Sequence, residues 1–225
     1  MFYTELHCHS SDVSSCSRIN AKELCERYIE AGYNTVTLTN HFNRHTYGFV
    51  GANGWEDWIE KYVGAYEKLK KEATGRLNIL LGMEICFDGA RNDYLVLGIT
   101  KEFLLSLKDK DVFSMSPADF HPIAKQNGVL FIQAHPFRFG MNVTNPENLD
   151  GVEVFNGHKG HNSNNDIANA WAQKYSLIKT SGTDLHYTDF PINAGIITEN
   201  EIKSEKQLVE ILKSGKYSLI NPNLI

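Results

Sequence analysis

The sequence lacks any apolar run long enough to cross a membrane, since a spanning helix needs about 20 consecutive apolar residues. Its amino terminus also lacks a basic segment followed by a long apolar stretch, so we expect no secretory signal. The four cysteines form no Cys-x-x-Cys pair. We therefore expect a protein without membrane contact that resides in the cytoplasm and keeps its thiols reduced.

The sequence also lacks an excess of basic residues. It has 22 Lys and Arg against 27 Asp and Glu, and its formal net charge is -5. Proteins that bind a long polynucleotide usually present several cations in a row to its phosphates. The densest basic run, KLKK at 68–71, is flanked by Glu67 and Glu72. We therefore expect no long nucleic-acid partner, and the sequence gives no indication of the oligomeric state.

Short apolar runs alternate with amphipathic stretches along the 225 residues, which suit a single domain spanning 1–225. The predicted strands are 2–7, 35–39, 77–85, 93–99, 128–135, 151–156 and 177–182, with weaker candidates at 195–199 and 216–220. The predicted helices are 21–32, 55–73, 117–128, 163–175 and 204–215. This alternation indicates an α/β fold with a parallel sheet, open or closed into a barrel. Segment 42–54, rich in Gly, Asn and aromatic residues, is predicted to be a loop near the site.

Residues that can bind a metal follow the ends of the predicted strands, where parallel α/β folds form their sites. His7 and His9 lie two residues apart, so a strand would project both from one face. Asp184 and His186 repeat that spacing. The other candidates are His41, Glu84 and His135. Imidazoles with carboxylates suit Zn²⁺, Mn²⁺ or Fe²⁺, and these residues exceed the needs of one tetrahedral ion. We therefore predict a cluster of more than one divalent transition-metal ion.

Five motifs occur in a fixed order: ELHCHS (5–10), TNHF (39–42), GMEI (82–85), QAHPFR (133–138) and SGTDLH (181–186). Together they resemble those of the PHP (polymerase and histidinol phosphatase) superfamily of metal-dependent phosphoesterases. The resemblance implies a distorted (β/α)7 barrel with two or three metals at the C-terminal ends of the strands. It also implies three ligand sets: His7, His9, Glu84 and Asp184 for the first metal, Glu84 and His135 for the second, and His41 and His186 for the third.

Three positions depart from the family pattern. Asn40 precedes His41 where many members have Asp, and Leu95 stands where a histidine ligand of the second metal is common, with Asp93 nearby. Many members also have an acidic or histidine ligand about five residues after the first motif's histidines. In this chain that region reads SDVSS, so Asp12 is the predicted ligand there.

The predicted activity is the hydrolysis of a phosphate ester, with a small phosphomonoester as the favoured substrate. A metal ion lowers the pKa of bound water to about 7, which gives hydroxide at neutral pH. Arg138 is predicted to contact phosphate, unless it is a surface residue paired with a helix acid. His158 is predicted to contact substrate or supply a proton to the leaving group, unless it belongs to a polar loop. A nuclease of short oligonucleotides and a non-catalytic metal-binding regulatory module are the alternatives.

Overall fold

The structure, a computed structural model, describes residues 1–221. Its strands are β1 (Phe2–Glu5), β2 (Thr35–Leu38), β3 (His41–Phe42), β4 (Asn78–Cys86), β5 (Asp93–Leu97), β6 (Leu130–Gln133), β7 (Gly151–Asn156), β8 (Ile178–Gly182), β9 (Gly195–Thr198) and β10 (Ser218–Ile220). Its helices are α1 (Ala21–Glu30), α2 (Arg44–Phe49), α3 (Trp55–Ala73), α4 (Lys101–Ser106), α5 (Pro117–Gln126), α6 (Asn165–Lys174) and α7 (Glu205–Ser214). Short 3₁₀ helices occur at Val112–Ser114 and Pro146–Asn148.

The strands form a nearly closed barrel in the order β10-β9-β1-β2-β4-β5-β6-β7-β8, with β3 beside β4. The predicted α/β barrel is confirmed, but the expectation of a wholly parallel sheet is wrong. Strand β5 runs antiparallel to both β4 and β6, and β9 runs antiparallel to β1 and β10. Only residues 87–92 join β4 to β5, which is too short for a parallel crossover of a dozen or more residues.

Backbone hydrogen bonds beyond β1 and β8 join the interior strand β1 to the terminal strand β8 at the barrel mouth. The Asp184 amide donates to the His7 carbonyl over 2.7 Å, and the His9 amide donates to the Leu185 carbonyl over 3.2 Å. Cys8 pairs with Leu185 as an isolated parallel bridge. The first and last motifs, separated by most of the chain, are therefore neighbours in space.

The side chains of β4 alternate between two apolar layers, and this alternation determines the direction of the carboxylate at the centre of the site. Successive strand residues point to opposite faces. One face of β4 packs in the layer shared with the helices, through Ile79, Leu81, Met83 and Ile85. On the other face Leu80 packs with barrel-interior residues such as Leu95, Leu130 and Ile132. Glu84 shares the parity of Leu80, so its carboxylate enters the barrel at the mouth.

The helices agree with the sequence patterns except for α2, in segment 42–54, and α4, neither of which was predicted. Helix α3 spans the predicted residues, and α1 begins after Asn20, whose side chain caps it by accepting from the Glu23 amide. The predicted loop at 42–54 instead contains α2. The Asn43 side chain accepts from the Thr46 amide while the Thr46 hydroxyl accepts from the Asn43 amide, and this reciprocal cap supports the short helix. Within residues 1–221, no helix combines the length and apolar character of a membrane span.

Candidate metal centre

Glu84 lies at the centre of a ring of imidazoles at the barrel mouth. Its Oε1 lies 3.2 Å from His7 Nε2 and 3.3 Å from His135 Nε2. Its Oε2 lies 3.4 Å from His9 Nε2 and 2.8 Å from His41 Nδ1. Each carboxylate oxygen therefore faces two histidines, which is the arrangement that a carboxylate bridging two ions requires.

Asp184 closes the opposite side of the ring. Its Oδ1 lies 3.3 Å from His9 Nε2, 3.5 Å from His7 Nε2 and 3.2 Å from His186 Nδ1. The ring contains three overlapping triads whose donor atoms lie within 4.8 Å of one another: His7–His9–Asp184, His7–Glu84–His135 and His9–His41–His186. The structure thus brings together all seven donors that follow the predicted strands.

Two members of the ring have a left-handed backbone. His135 has φ 29° and Asp184 has φ 52°, values that are uncommon outside glycine. Each amide is held by a hydrogen bond, from His135 to Glu153 Oε2 over 3.0 Å and from Asp184 to the His7 carbonyl over 2.7 Å. Such conformations persist where the surroundings over-determine them, and they concentrate at functional sites.

Glu153, on β7, supports the ring from behind. Its Oε1 lies 2.9 Å from His7 Nδ1, and its Oε2 accepts from Asn156 Nδ2 over 2.9 Å. Asn156 Nδ2 also donates to Asp184 Oδ2 over 3.2 Å. A carboxylate on one imidazole nitrogen keeps the proton there and leaves the other nitrogen for a metal. Glu153 therefore directs His7 Nε2 into the ring.

Ser14 directs His9 Nε2 into the ring in the same way that Glu153 directs His7 Nε2. Its hydroxyl donates to Asn40 Oδ1 over 3.0 Å and lies 3.3 Å from His9 Nδ1. A hydroxyl has one proton to donate. Ser14 must therefore accept from His9 Nδ1–H, which leaves His9 Nε2 free to bind. Asn40, which departs from the family's Asp, thus acts on His9 through a serine rather than through a charge.

Burial and mutual proximity set the charges of the ring in the metal-free protein. Burial alone would raise the pKa of Glu84, but the facing His7 and His41 hold it well below its usual value. Asp184 behaves in the same way through His7 and His186. Burial opposes the charge on His186, yet Asp184 raises its pKa to about 10. The metal-free ring therefore holds ionised carboxylates and bound protons that an entering ion would displace.

The donor atoms fit divalent ions because several of them are buried without a hydrogen-bond partner. Both Glu84 oxygens, His7 Nε2 and His9 Nε2 are buried, and none forms a hydrogen bond of acceptable angle with any of residues 1–221. A buried polar atom left unsatisfied costs about 1–3 kcal/mol. Metal coordination would satisfy all four atoms, and imidazole with carboxylate suits Zn²⁺, Mn²⁺ or Fe²⁺.

Asp12, the eighth predicted ligand, does not join the ring. Its Oδ1 lies 2.5 Å from Lys68 Nζ on α3, at the surface. Cys16, in the same loop, lies near enough to His41 and His186 for both histidines to affect its thiol. Burial would raise the pKa of Cys16, but these two histidines lower it to about 6. From the sequence alone Cys16 could contact a metal, but a structural role was favoured, because a lone cysteine in a loop is not specific.

Asp93 also enters the site, whereas Leu95 does not. Leu95 pairs with Glu84 in the strand register and is fully buried in the apolar interior. Because β5 is antiparallel to β4, its first residue lies at the mouth, and Asp93 forms a fourth possible metal-binding group with His41 and Glu84. The reversal of β5 therefore supplies a carboxylate where the family pattern had suggested a missing histidine.

Of the two predicted catalytic residues, His158 lies beside the ring, and the Arg138 amide donates to the carbonyl of the ring residue His135 over 3.0 Å. The His158 ring stacks on His161 at 4.3 Å between centroids and lies 5.4 Å from the His186 ring. Its Nδ1 accepts from the Gly160 amide over 2.9 Å, so its Nε2 carries the proton. Burial lowers the pKa of His158 to about 4, and nearby Arg138 contributes to this lowering. Arg138 itself is half-buried. Neutral His158 is thus suited to donate a hydrogen bond.

His161 is a further residue at the ring that is not among the predicted site residues. Its Nε2 lies 3.7 Å from Asp184 Oδ2, and its ring centroid lies 5.7 Å from that of His135. Its Nδ1 lies 3.0 Å from the Ser163 hydroxyl. The available signal in the sequence was the HxxH spacing of His158 and His161. Because the two residues lie in a short loop and not on a strand, this spacing does not predict where their side chains point.

The fold and the ring define a metal-binding barrel of the α/β class, with its donors at the strand ends. A family model described as the PHP domain matches residues 5–217. The chain therefore belongs to the PHP domain family. No curated protein matches its sequence significantly.

Solved structures share the fold at low sequence identity. A two-domain Bacteroides vulgatus protein containing a predicted PHP-like metal-dependent phosphoesterase has 16% identity and a TM-score of 0.67, covering 97% of this chain. This chain spans 64% of that protein's length. A metal-dependent phosphoesterase of Bifidobacterium adolescentis has 16% identity and a TM-score of 0.51, with 93% of this chain and 95% of the other covered. An amidohydrolase of Chromobacterium violaceum has 14% identity and a TM-score of 0.55, with 99% and 100% covered.

Proposed function

We propose that this chain hydrolyses phosphate esters with divalent ions bound in the ring, and that its preferred substrates are small phosphomonoesters. Family membership supports the general reaction, metal-dependent phosphoester hydrolysis, and makes the chain a hydrolase. Two of the structural neighbours are described as metal-dependent phosphoesterases. The observation that carries the proposal is Glu84, whose two orphaned oxygens each face two histidines inside one connected donor ring.

The ring would hold its ions through His7, His9, His41, Glu84, His135, Asp184 and His186. When bound, such ions neutralise phosphoryl oxygens and lower the pKa of water to about 7. The protein contributes a preset arrangement: Glu153 and Ser14 each hold the proton of one imidazole on Nδ1. The donors need little reorganisation on binding, which is the condition for effective electrostatic stabilisation.

Two residues beside the ring suit the recognition of one phosphate group. Arg138 can offer a planar pair of N–H donors, the geometry that matches phosphate oxygens. His158 presents Nε2–H while its Nδ1 is occupied by Gly160. With a pKa of about 4, His158 is neutral at pH 7, so it stabilises the substrate by hydrogen bonding rather than as a cationic acid.

The surrounding charges favour a small substrate over a polynucleotide. Arg44 is already bonded to Asp88 over 2.6 Å and to Asp111 over 2.9 Å. Lys68, in the basic run on α3, is paired with Asp12. These engaged cations provide no row of free positive charge leading to the ring, and a long backbone needs such a row.

The test is a comparison of kcat/KM on the metal-loaded protein for phosphomonoesters, phosphodiesters, short oligonucleotides and an N-acyl amino acid. We expect the phosphomonoesters to give the highest value. Arg138→Ala is expected to raise KM for them, whereas the matched Arg44→Ala is expected to leave KM unchanged. Oligonucleotide cleavage that is faster and falls steeply with salt would favour the nuclease, and faster amide hydrolysis would also overturn the proposal. Absence of turnover on every substrate would favour a regulatory metal-binding module.

A further inference from the structure

We infer that Gln133 and Asn92 are positioning residues, whose side-chain amides fix the loop that carries Arg138, so that its guanidinium meets a substrate phosphate in a preset position. This loop, residues 134–144, follows β6 and contains the ring histidine His135. Arg138 has this role only if the protein binds phosphate esters, so the inference rests on the proposed function.

Arg138 is the only Lys or Arg in this loop, and its backbone is attached to the ring. Its amide donates to the His135 carbonyl over 3.0 Å, and its carbonyl accepts from the Met141 amide over 3.0 Å. Among residues 1–221, no carboxylate lies within ion-pair distance of its guanidinium. Arg44, by contrast, is bonded to two carboxylates. The Arg138 guanidinium is therefore available to an anion that enters the barrel mouth.

Gln133 holds the second half of the loop. Its side chain is fully buried, its Nε2 donates to the Asn142 carbonyl over 2.7 Å, and its Oε1 accepts from the Thr144 amide over 3.0 Å. One side-chain amide thus satisfies both an acceptor and a donor of the loop backbone, as a neighbouring strand would.

Asn92, which precedes β5, holds the same backbone from a second strand. Its Oδ1 accepts from the Asn142 amide over 2.8 Å, and its Nδ2 donates to the Asn142 carbonyl over 2.6 Å. The hydroxyls of Tyr94 and Thr144 lie 2.7 Å apart and complete the group. Asn142 itself is exposed, so these buried amides fix a loop at the surface.

Attachment at both ends gives Arg138 a preset position. The loop is fixed to the ring at His135 and to β5 and β6 at Asn142 and Thr144. Without the second attachment, the loop and the Arg138 side chain would have to become ordered when phosphate binds, and that ordering costs entropy. Gln133 and Asn92 therefore increase the affinity for phosphate without contacting it.

The experiment is a calorimetric titration of the metal-loaded full-length protein with inorganic phosphate. Gln133→Met preserves the length of the side chain but removes both hydrogen bonds, so we expect the Kd for phosphate to rise about 10-fold. Arg138→Ala should raise this Kd at least as much. The double variant should bind phosphate no more weakly than Arg138→Ala, because Gln133 acts through Arg138.

Thr35→Val is the matched control, because it also removes one buried hydrogen bond while preserving the shape of the side chain. The Thr35 hydroxyl donates to the Ile202 carbonyl over 2.7 Å, at the start of β2 and away from the barrel mouth. This variant should keep the wild-type Kd for phosphate. Elemental analysis and circular dichroism should show the wild-type metal content and fold in every variant compared.

A merely structural role for Gln133 would leave the Kd for phosphate unchanged in folded, metal-loaded protein. If Gln133→Met does not fold, Asn92→Ala removes the other half of the attachment and should give the same rise in Kd. An unchanged Kd, a full further rise in the double variant, or a wild type that does not bind phosphate would overturn the inference. Because phosphate binding needs no turnover, a protein that binds phosphate as expected yet hydrolyses no ester would refute the proposed function alone.

Discussion

At the scale of single residues, the direction of each imidazole in the centre depends on which side chain accepts its ring proton. His7 and His9 both offer Nε2 to the ring, because Glu153 and Ser14 occupy their Nδ1 atoms. The same side chains are tied further: Glu153 to the His135 amide, and Ser14 to Asn40. A donor set fixed in this way binds metal without choosing among tautomers, which lowers the entropic cost of binding.

His9→Ala and Asp184→Ala should each abolish phosphoesterase activity and lower the metal content. Both residues belong to the triad with His7, and their loss should exceed the ~10–100-fold effect typical of an outer partner of a metal ligand. The measurement is kcat/KM together with elemental analysis on protein whose fold is checked by circular dichroism. His121→Ala is the control, because His121 pairs with Asp150 at 3.3 Å, on α5. Folded His9→Ala protein with near-wild-type turnover and metal content would refute the assignment.

The residues of the ring could be predicted from the sequence only where the strand ends were clear. His7 with His9, and Asp184 with His186, were recognisable because a spacing of two residues has a direct meaning on a strand. Cys16 lies in an irregular loop, where spacing does not fix direction, and the histidines near it, His41 and His186, are remote in sequence. Asp12 was predicted because its charge is visible in the sequence, whereas its pairing with Lys68, which keeps it apart from the ring in the structure, is not.

At the scale of elements, the ends of β1 and β8 are tied together by one buried carboxylate. Glu5 Oε1 accepts from the amides of Leu6, His7 and Thr183, each over 2.9 Å. Its Oε2 accepts from the Tyr28 hydroxyl over 2.9 Å and from the Thr183 hydroxyl. Burial raises the pKa of Glu5 to about 7 against these hydrogen bonds, which lower it. This carboxylate therefore positions the two segments that carry His7 and Asp184.

Glu5→Ala should destabilise the metal-free protein by about 3 kcal/mol or more, because three buried amides lose their acceptor. Glu5→Gln should cost less than about 1 kcal/mol, since its oxygen can serve the amides while the two hydroxyls reverse to accept from its nitrogen. Urea unfolding measures both. Glu26→Ala on α1 is the exposed control, 3.9 Å from Lys22, and should change stability by less than about 0.5 kcal/mol. Equal stability of Glu5→Ala and the control would contradict this role.

The direction of β5 is a feature that could not be predicted from the apolar pattern of the strand alone. The apolar run at 93–99 was correctly identified as a strand, but periodicity carries no information about strand direction. The short 87–92 connection was the available signal, since an antiparallel partner needs only a turn. Its consequence is chemical as well as topological, because it places Asp93 rather than Leu95 at the mouth.

At the scale of the whole molecule, the barrel gathers five distant motifs into one electrostatic unit. The atoms of Glu84, His7 and His9 that lack hydrogen-bond partners form a buried polar centre next to the apolar interior of the barrel. Ligands that bind only the folded state stabilise it by mass action. The metal content is therefore coupled to the stability of the whole barrel as well as to its chemistry.

The most direct test of the central claim is the metal content of the protein, measured by elemental analysis on material never exposed to chelator. The overlapping triads around Glu84 predict at least two transition-metal ions per chain. The measurement should be repeated after chelation and reconstitution, which should restore the same value. A content at or below one ion per chain that reconstitution does not raise would contradict the cluster, and with it the proposed hydrolysis.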